Sequence, residues 1–74
     1  MSKASQHVVP SGGKWSVRRT GAARASGTYA TQAEAIARAR EIARRQRTEL
    51  YIHGRDGWIR ERISFDGDGS PSKS

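Results

Sequence analysis

The sequence predicts a small α+β domain: an antiparallel sheet in the order β-β-β-α-β-β with one helix packed on one face. Three observations carry this. Apolar and polar residues alternate around two glycine-containing turns. A helix-start signal stands at Thr31, three residues before Glu34. From there residues 32–47 run without glycine or proline and put their apolar side chains on one helical face.

His7-Val8-Val9-Pro10 is a β-branched run, followed by Ser11-Gly12-Gly13-Lys14 and then by Trp15-Ser16-Val17-Arg18-Arg19, which alternates. This is a hairpin pattern, with glycines supplying the positive φ of a tight turn. Thr20-Gly21-Ala22-Ala23 reads as a connection and Ser26-Gly27-Thr28-Tyr29 as a third short strand. At the helix start the Thr31 hydroxyl accepts from a free backbone N–H while Glu34 reaches back, the two halves of a capping box. At 100° per residue, Ala35, Ile36, Ala39, Ile42 and Ala43 share one side, and Glu34, Arg38, Glu41 and Arg45 the other. So small an apolar face lets the helix backbone lie close to a sheet. Leu50-Tyr51-Ile52-His53 is the fourth strand, Gly54-Arg55-Asp56-Gly57 a turn, and Trp58-Ile59-Arg60-Glu61-Arg62-Ile63 the fifth. Alternation predicts Leu50, Ile52, Ile59 and Ile63 inward, and Tyr51, His53, Trp58, Arg60 and Arg62 together on the other face, with the competing reading that Trp58 caps the edge of the core. Trp15 and Tyr29 are expected in the core. Residues 1–5 and 66–74 are expected to be disordered and 6–65 to form the domain.

Seventy-four residues hold one domain, which buries only about 60% of its unfolded surface. No cysteine is present, so disulfides are excluded, and two histidines cannot make a four-ligand zinc site. No metal or other cofactor is expected. No apolar run approaches the roughly 20 residues of a membrane span and the first residues lack a secretory pattern, so the expected location is cytoplasmic.

Net charge is +7, and eleven of the fourteen basic residues are arginine. Residues 1–30 carry +5 with no acid, 31–47 carry +3, 48–63 balance, and the remainder is −1. Arginine presents a planar fork of donors that grips phosphate bidentately, and a surface rich in it releases counterions on meeting a polyanion. Glu34 with Arg38 and Glu41 with Arg45 stand four apart and are expected to pair. That leaves Arg40, Arg44 and Arg47 with Lys14, Arg18, Arg19 and Arg24 as candidate phosphate contacts, joined by Tyr51, His53, Trp58, Arg60 and Arg62 as an aromatic and cationic platform for bases.

Two motifs dissolve on inspection. Asp66, Asp68 and Ser70 alternate like calcium-loop ligands, but Pro71 stands where that loop needs glycine. His53-Gly54-Arg55-Asp56 superficially suggests a kinase catalytic loop without the rest of that machinery. No serine or threonine can be paired with His53 by spacing alone, so no enzyme activity is expected.

The opening His7-Val8-Val9-Pro10, the helix start Thr31-Gln32-Ala33-Glu34-Ala35 and the turn His53-Gly54-Arg55-Asp56-Gly57 together resemble the bacterial family called domain of unknown function 2188. The resemblance covers about residues 6–65 and implies a small bacterial α+β domain with no assigned activity, hence no functional residues to transfer. Members of that family often have glycine where the helix ends and a polar residue after the Asp-Gly turn, where this chain has Arg47 and Trp58. The expected function is a non-catalytic binding module contacting nucleic-acid phosphates. The alternative is a protein-interaction domain or homodimer formed through exposed strand edges.

Overall fold

The structure, a computed structural model, describes residues 4–65. It contains β1 (Gln6–Ser11), β2 (Lys14–Arg19), β3 (Ala25–Tyr29), α1 (Gln32–Gln46), β4 (Glu49–His53) and β5 (Ile59–Ser64), the predicted order. The strands form a single five-stranded sheet in the order β3-β2-β1-β4-β5. The sheet is mixed, which corrects the wholly antiparallel expectation: β1 and β4 run parallel, and the other three ladders are antiparallel. The cause is the helix. Two successive hairpins leave β3 running in the direction of β1, and α1, about 22 Å long at 1.5 Å per residue, carries the chain back to the end where β3 began. The next strand therefore runs the same way again, and it pairs beside β1.

Gly12 and Gly13 have φ of 56° and 83° and form the two-residue loop between Ser11 and Lys14, the positive-φ pair that tight hairpins require. Thr31 caps α1 by accepting from the Glu34 N–H at 3.2 Å. At the other end Arg47 adopts a left-handed conformation, φ 55°, and its N–H and that of Thr48 return to the carbonyls of Arg44 and Ala43. This is a glycine-type helix stop made by an arginine.

The core lies between α1 and one face of the sheet. Ala35, Ala39 and Ala43 are fully buried against Val8, Val17, Leu50, Ile52 and Trp15, with Tyr29, Ile36, Ile42, Ile63 and Phe65 packed around them. Trp15 and Tyr29 are thus core residues, as expected. Gln6 lies on this same face, 2% exposed, with its carbonyl oxygen Oε1 unpaired. Buried Thr48 ties three segments together: its hydroxyl donates to the Ala4 carbonyl at 3.1 Å, its carbonyl accepts from Phe65, and its N–H closes the helix. Ala4 and Ser5 are consequently bonded into the domain rather than trailing from it. The expected disorder of 1–3 and 66–74, and the calcium-like spacing, lie outside the described residues.

Candidate nucleic-acid interface

Register places the basic residues. Gln6 pairs with Arg19 and with Leu50, and Arg18 with Ala25, so β1 and β4 begin, β2 ends and β3 begins at one end of the sheet. The helix ends there as well, since Gln46 lies three residues before β4. Arg18, Arg19, Arg24, Arg44, Arg45 and Arg47 are therefore gathered at this end, all exposed. A shallow groove of about 620 Å³ opens there with Arg19 and Arg24 among its lining residues. Arg40 stands one helical turn before Arg44, on the flank that also carries Arg44 and Arg47. Lys14 is at the opposite end of the sheet, in the β1–β2 turn region, and does not join them.

Ion pairing differs in part from expectation. Glu41 takes both Arg38 at 2.9 Å and Arg45 at 3.5 Å, so Arg38 turns toward the helix C-terminus rather than to Glu34. Glu34 stays in the first turn, where a carboxylate complements the helix dipole. Among the described residues Arg18, Arg19, Arg24, Arg40, Arg44 and Arg47 form no ion pair.

The sheet face away from α1 carries the aromatic cluster. His7 stacks on its register partner Tyr51 with centroids 5.0 Å apart and planes 17° apart. His7 Nδ1 lies 3.1 Å from His53 Nε2, and His7 Nε2 lies 3.0 Å from the Thr20 hydroxyl. The Tyr51 hydroxyl donates to the Glu49 carboxylate, which holds the phenol above its ordinary pKa; burial and the Glu49 charge add to this and the nearby Arg62 opposes it. Burial, with His53 alongside, holds His7 below the usual 6.5. Arg62 pairs across with Tyr51 and Arg18 with His7, so both arginines flank the cluster.

The predicted platform is corrected at its β5 side. A bulge between Ile52 and His53 sets His53 opposite Ile59 and Ile52 opposite Glu61, leaving Arg60 as the extra residue. Ile59 is therefore not inward but 53% exposed, while Ile63 packs on the core as expected. Arg60 pairs with Asp56 at 3.3 Å and lines a cleft of about 500 Å³ with Trp15, Ile36 and Ile52 beside the helix N-terminus. Trp58 is 74% exposed, so it does not cap the core. Asp56 accepts from the Trp58 N–H and Gly57 has φ 88°, which sets the turn that presents the indole.

Sequence reasoning placed Tyr51, His53 and Arg62 on one face and missed His7 and Thr20. The parallel β1–β4 ladder is what brings positions 7 and 53 together, and nothing local announces it.

Fold and surface together define a small, arginine-rich α+β domain with a helix on one side of a mixed sheet. The profile described as "Uncharacterized protein conserved in bacteria (DUF2188)" matches residues 6–65. The chain belongs to this DUF2188 family. A relative in Bacillus subtilis (strain 168), "Uncharacterized protein YdaT", is 41% identical over 63 residues, which are 85% of this chain and 41% of YdaT. The chain thus spans less than half the length of that relative. No solved structure matches it. Among the described residues no helix is long and apolar enough to cross a membrane.

Proposed function

We propose that this domain is a non-catalytic, cytoplasmic binding module that contacts nucleic-acid phosphates through the arginines at the helix C-terminal end of the sheet. The observation that carries the reading is the collection there of Arg18, Arg19, Arg24, Arg44 and Arg47, none paired with a carboxylate among the described residues. Guanidinium groups left unneutralised on a common end are free to exchange counterions for phosphate. Exposed Trp58 lies at the other end of the sheet, beside the β4–β5 turn, and is not part of this contact surface.

The test is fluorescence anisotropy with labelled single- and double-stranded oligonucleotides across salt concentration. About four phosphate contacts give about a 100-fold loss of affinity between 50 and 200 mM salt. Replacing Arg19, Arg24 and Arg44 by alanine should weaken binding at low salt and flatten the salt slope by about three units. Binding that is weak and indifferent to salt would end the proposal.

A second reading is favoured by a separate observation. Trp58 and Ile59, adjacent at the start of edge strand β5, are large apolar side chains left exposed. An open edge flanked by apolar surface is a site for pairing with another chain, including a second copy. Sedimentation at micromolar concentration decides it: a dimer lost on Trp58→Ser supports edge pairing, and a monomer at every concentration counts against a homodimer.

A further inference from the structure

The histidine pair has a hydrogen-bond arithmetic that determines where its protons sit. The Gly57 carbonyl, 3.0 Å from His53 Nδ1, can only accept, so His53 carries its proton on Nδ1. Its Nε2 is then the acceptor for His7, 3.1 Å away, and His7 carries its proton on Nδ1. Neutral His7 therefore presents a bare Nε2 to the Thr20 hydroxyl at 3.0 Å. That hydroxyl has one proton and two acceptors within reach, His7 Nε2 and the Ser5 carbonyl at 3.3 Å.

We propose that the chain from the Gly57 carbonyl through His53, His7 and Thr20 to the Ser5 carbonyl is a site for a single proton, acting as a pH-sensitive clamp between β1 and the β4–β5 hairpin. One proton added at His7 Nε2 needs only a rotation of the Thr20 hydroxyl, which then accepts from His7 and donates to Ser5. A second proton has no place. It would set two N–H groups against each other across 3.1 Å, with no acceptor between them.

The consequence is mechanical. Among the described residues β1 and β4 share three paired positions, and that ladder is the sole strand pairing between β1-β2-β3 and β4-β5. The His7–His53 bond crosses it, and the His53–Gly57 bond braces the turn before Trp58. Double protonation therefore removes the bond that crosses the ladder, whereas His53 Nδ1–H still donates to the Gly57 carbonyl. Facing groups act in the same sense: Arg18 from β2 and Arg62 from β5 add positive charge, whereas Glu49 on β4 is engaged by the Tyr51 hydroxyl. Burial also resists protonation of His7.

The experiment is long-range 1H–15N NMR of both imidazoles on the intact chain from pH 8 to 4. At pH 8 both rings should show the Nδ1–H tautomer, the one disfavoured in free histidine. On acidification His7 Nε2 should gain its proton first, with the fold intact. Amide signals of residues 6–8 and 50–53 should broaden or shift only once both rings carry a second proton. Thr20→Val should lower the midpoint of the first step and Thr20→Ser should restore it. An Nε2–H tautomer at either ring, or a single step in which both titrate with no change in those amides, would overturn the assignment. A Thr20→Val variant that folds and titrates like the parent would do so as well.

Discussion

The same three central strands present two unlike faces. Toward α1 they offer Val8, Val17, Leu50 and Ile52, side chains that need only to be excluded from water. Away from it they offer His7, Tyr51 and His53, whose geometry is set by directional bonds and by the one proton each ring carries. The covered face gains stability from area and close packing, and the three buried alanines of the helix keep it thin. The open face gains little from area, and its order depends on protonation. One sheet thus combines a face indifferent to pH with a face that reads it.

The sharpest way to break the comparison is on adjacent residues. Leu50 is fully buried and Tyr51, its neighbour, lies on the other face. Leu50→Ala should cost about 2–5 kcal/mol, a large part of what a domain of this length possesses. Tyr51→Ala loses a stacking contact worth about 1 kcal/mol and leaves the core in place. Urea denaturation of the two variants measures the ratio. Equal losses would mean that the open face is as structural as the covered one.

The covered face was legible because alternation in β2 and β4 and the alanine spacing of α1 each point to it without knowledge of which strands are neighbours. The helix cap at Thr31 and the Gly12-Gly13 turn were legible for the same reason, being local. The open face needed register. His7 meets His53 only because β4 lies parallel to β1, a pairing created by the long return of α1. Ile59 was misplaced because a bulge adds one residue to β5 and breaks the alternation by which it was assigned. Arg38 was given the wrong partner because two carboxylates, at i−4 and i+3, lie within its reach and sequence spacing does not choose between them.

Acidification separates the faces without a mutation. The hydrophobic core contains no group that titrates near neutrality, whereas His7 is held below 6.5 in the folded chain. Unfolded chains therefore bind this proton more readily than folded ones. The contribution is fully present above pH 6.5 and is lost as pH falls from there through the lower folded value. The thermal midpoint should accordingly decline from pH 7 toward pH 5. His7→Gln should flatten that decline while leaving the neutral-pH core intact. A parent protein whose midpoint is constant across this interval would show that the open face does not sense protons.

The smallest effect tests whether charge at the basic end has been kept at the expense of stability. Arg47 closes α1 with φ 55°, a conformation that costs a residue with a Cβ roughly 1 kcal/mol and glycine almost none. Its backbone bonds to Ala43 and Arg44 do not depend on its side chain. Arg47→Gly should therefore relieve strain and raise Tm by about 4 °C in a domain of this size. On the proposed reading the same change removes one of the cations gathered beside Arg44, so the salt slope of oligonucleotide binding should fall by about one unit. Higher Tm with weaker binding identifies the guanidinium as a ligand contact held in a strained position. Higher Tm with unchanged binding leaves the strain in place without a role and takes Arg47 out of the interface.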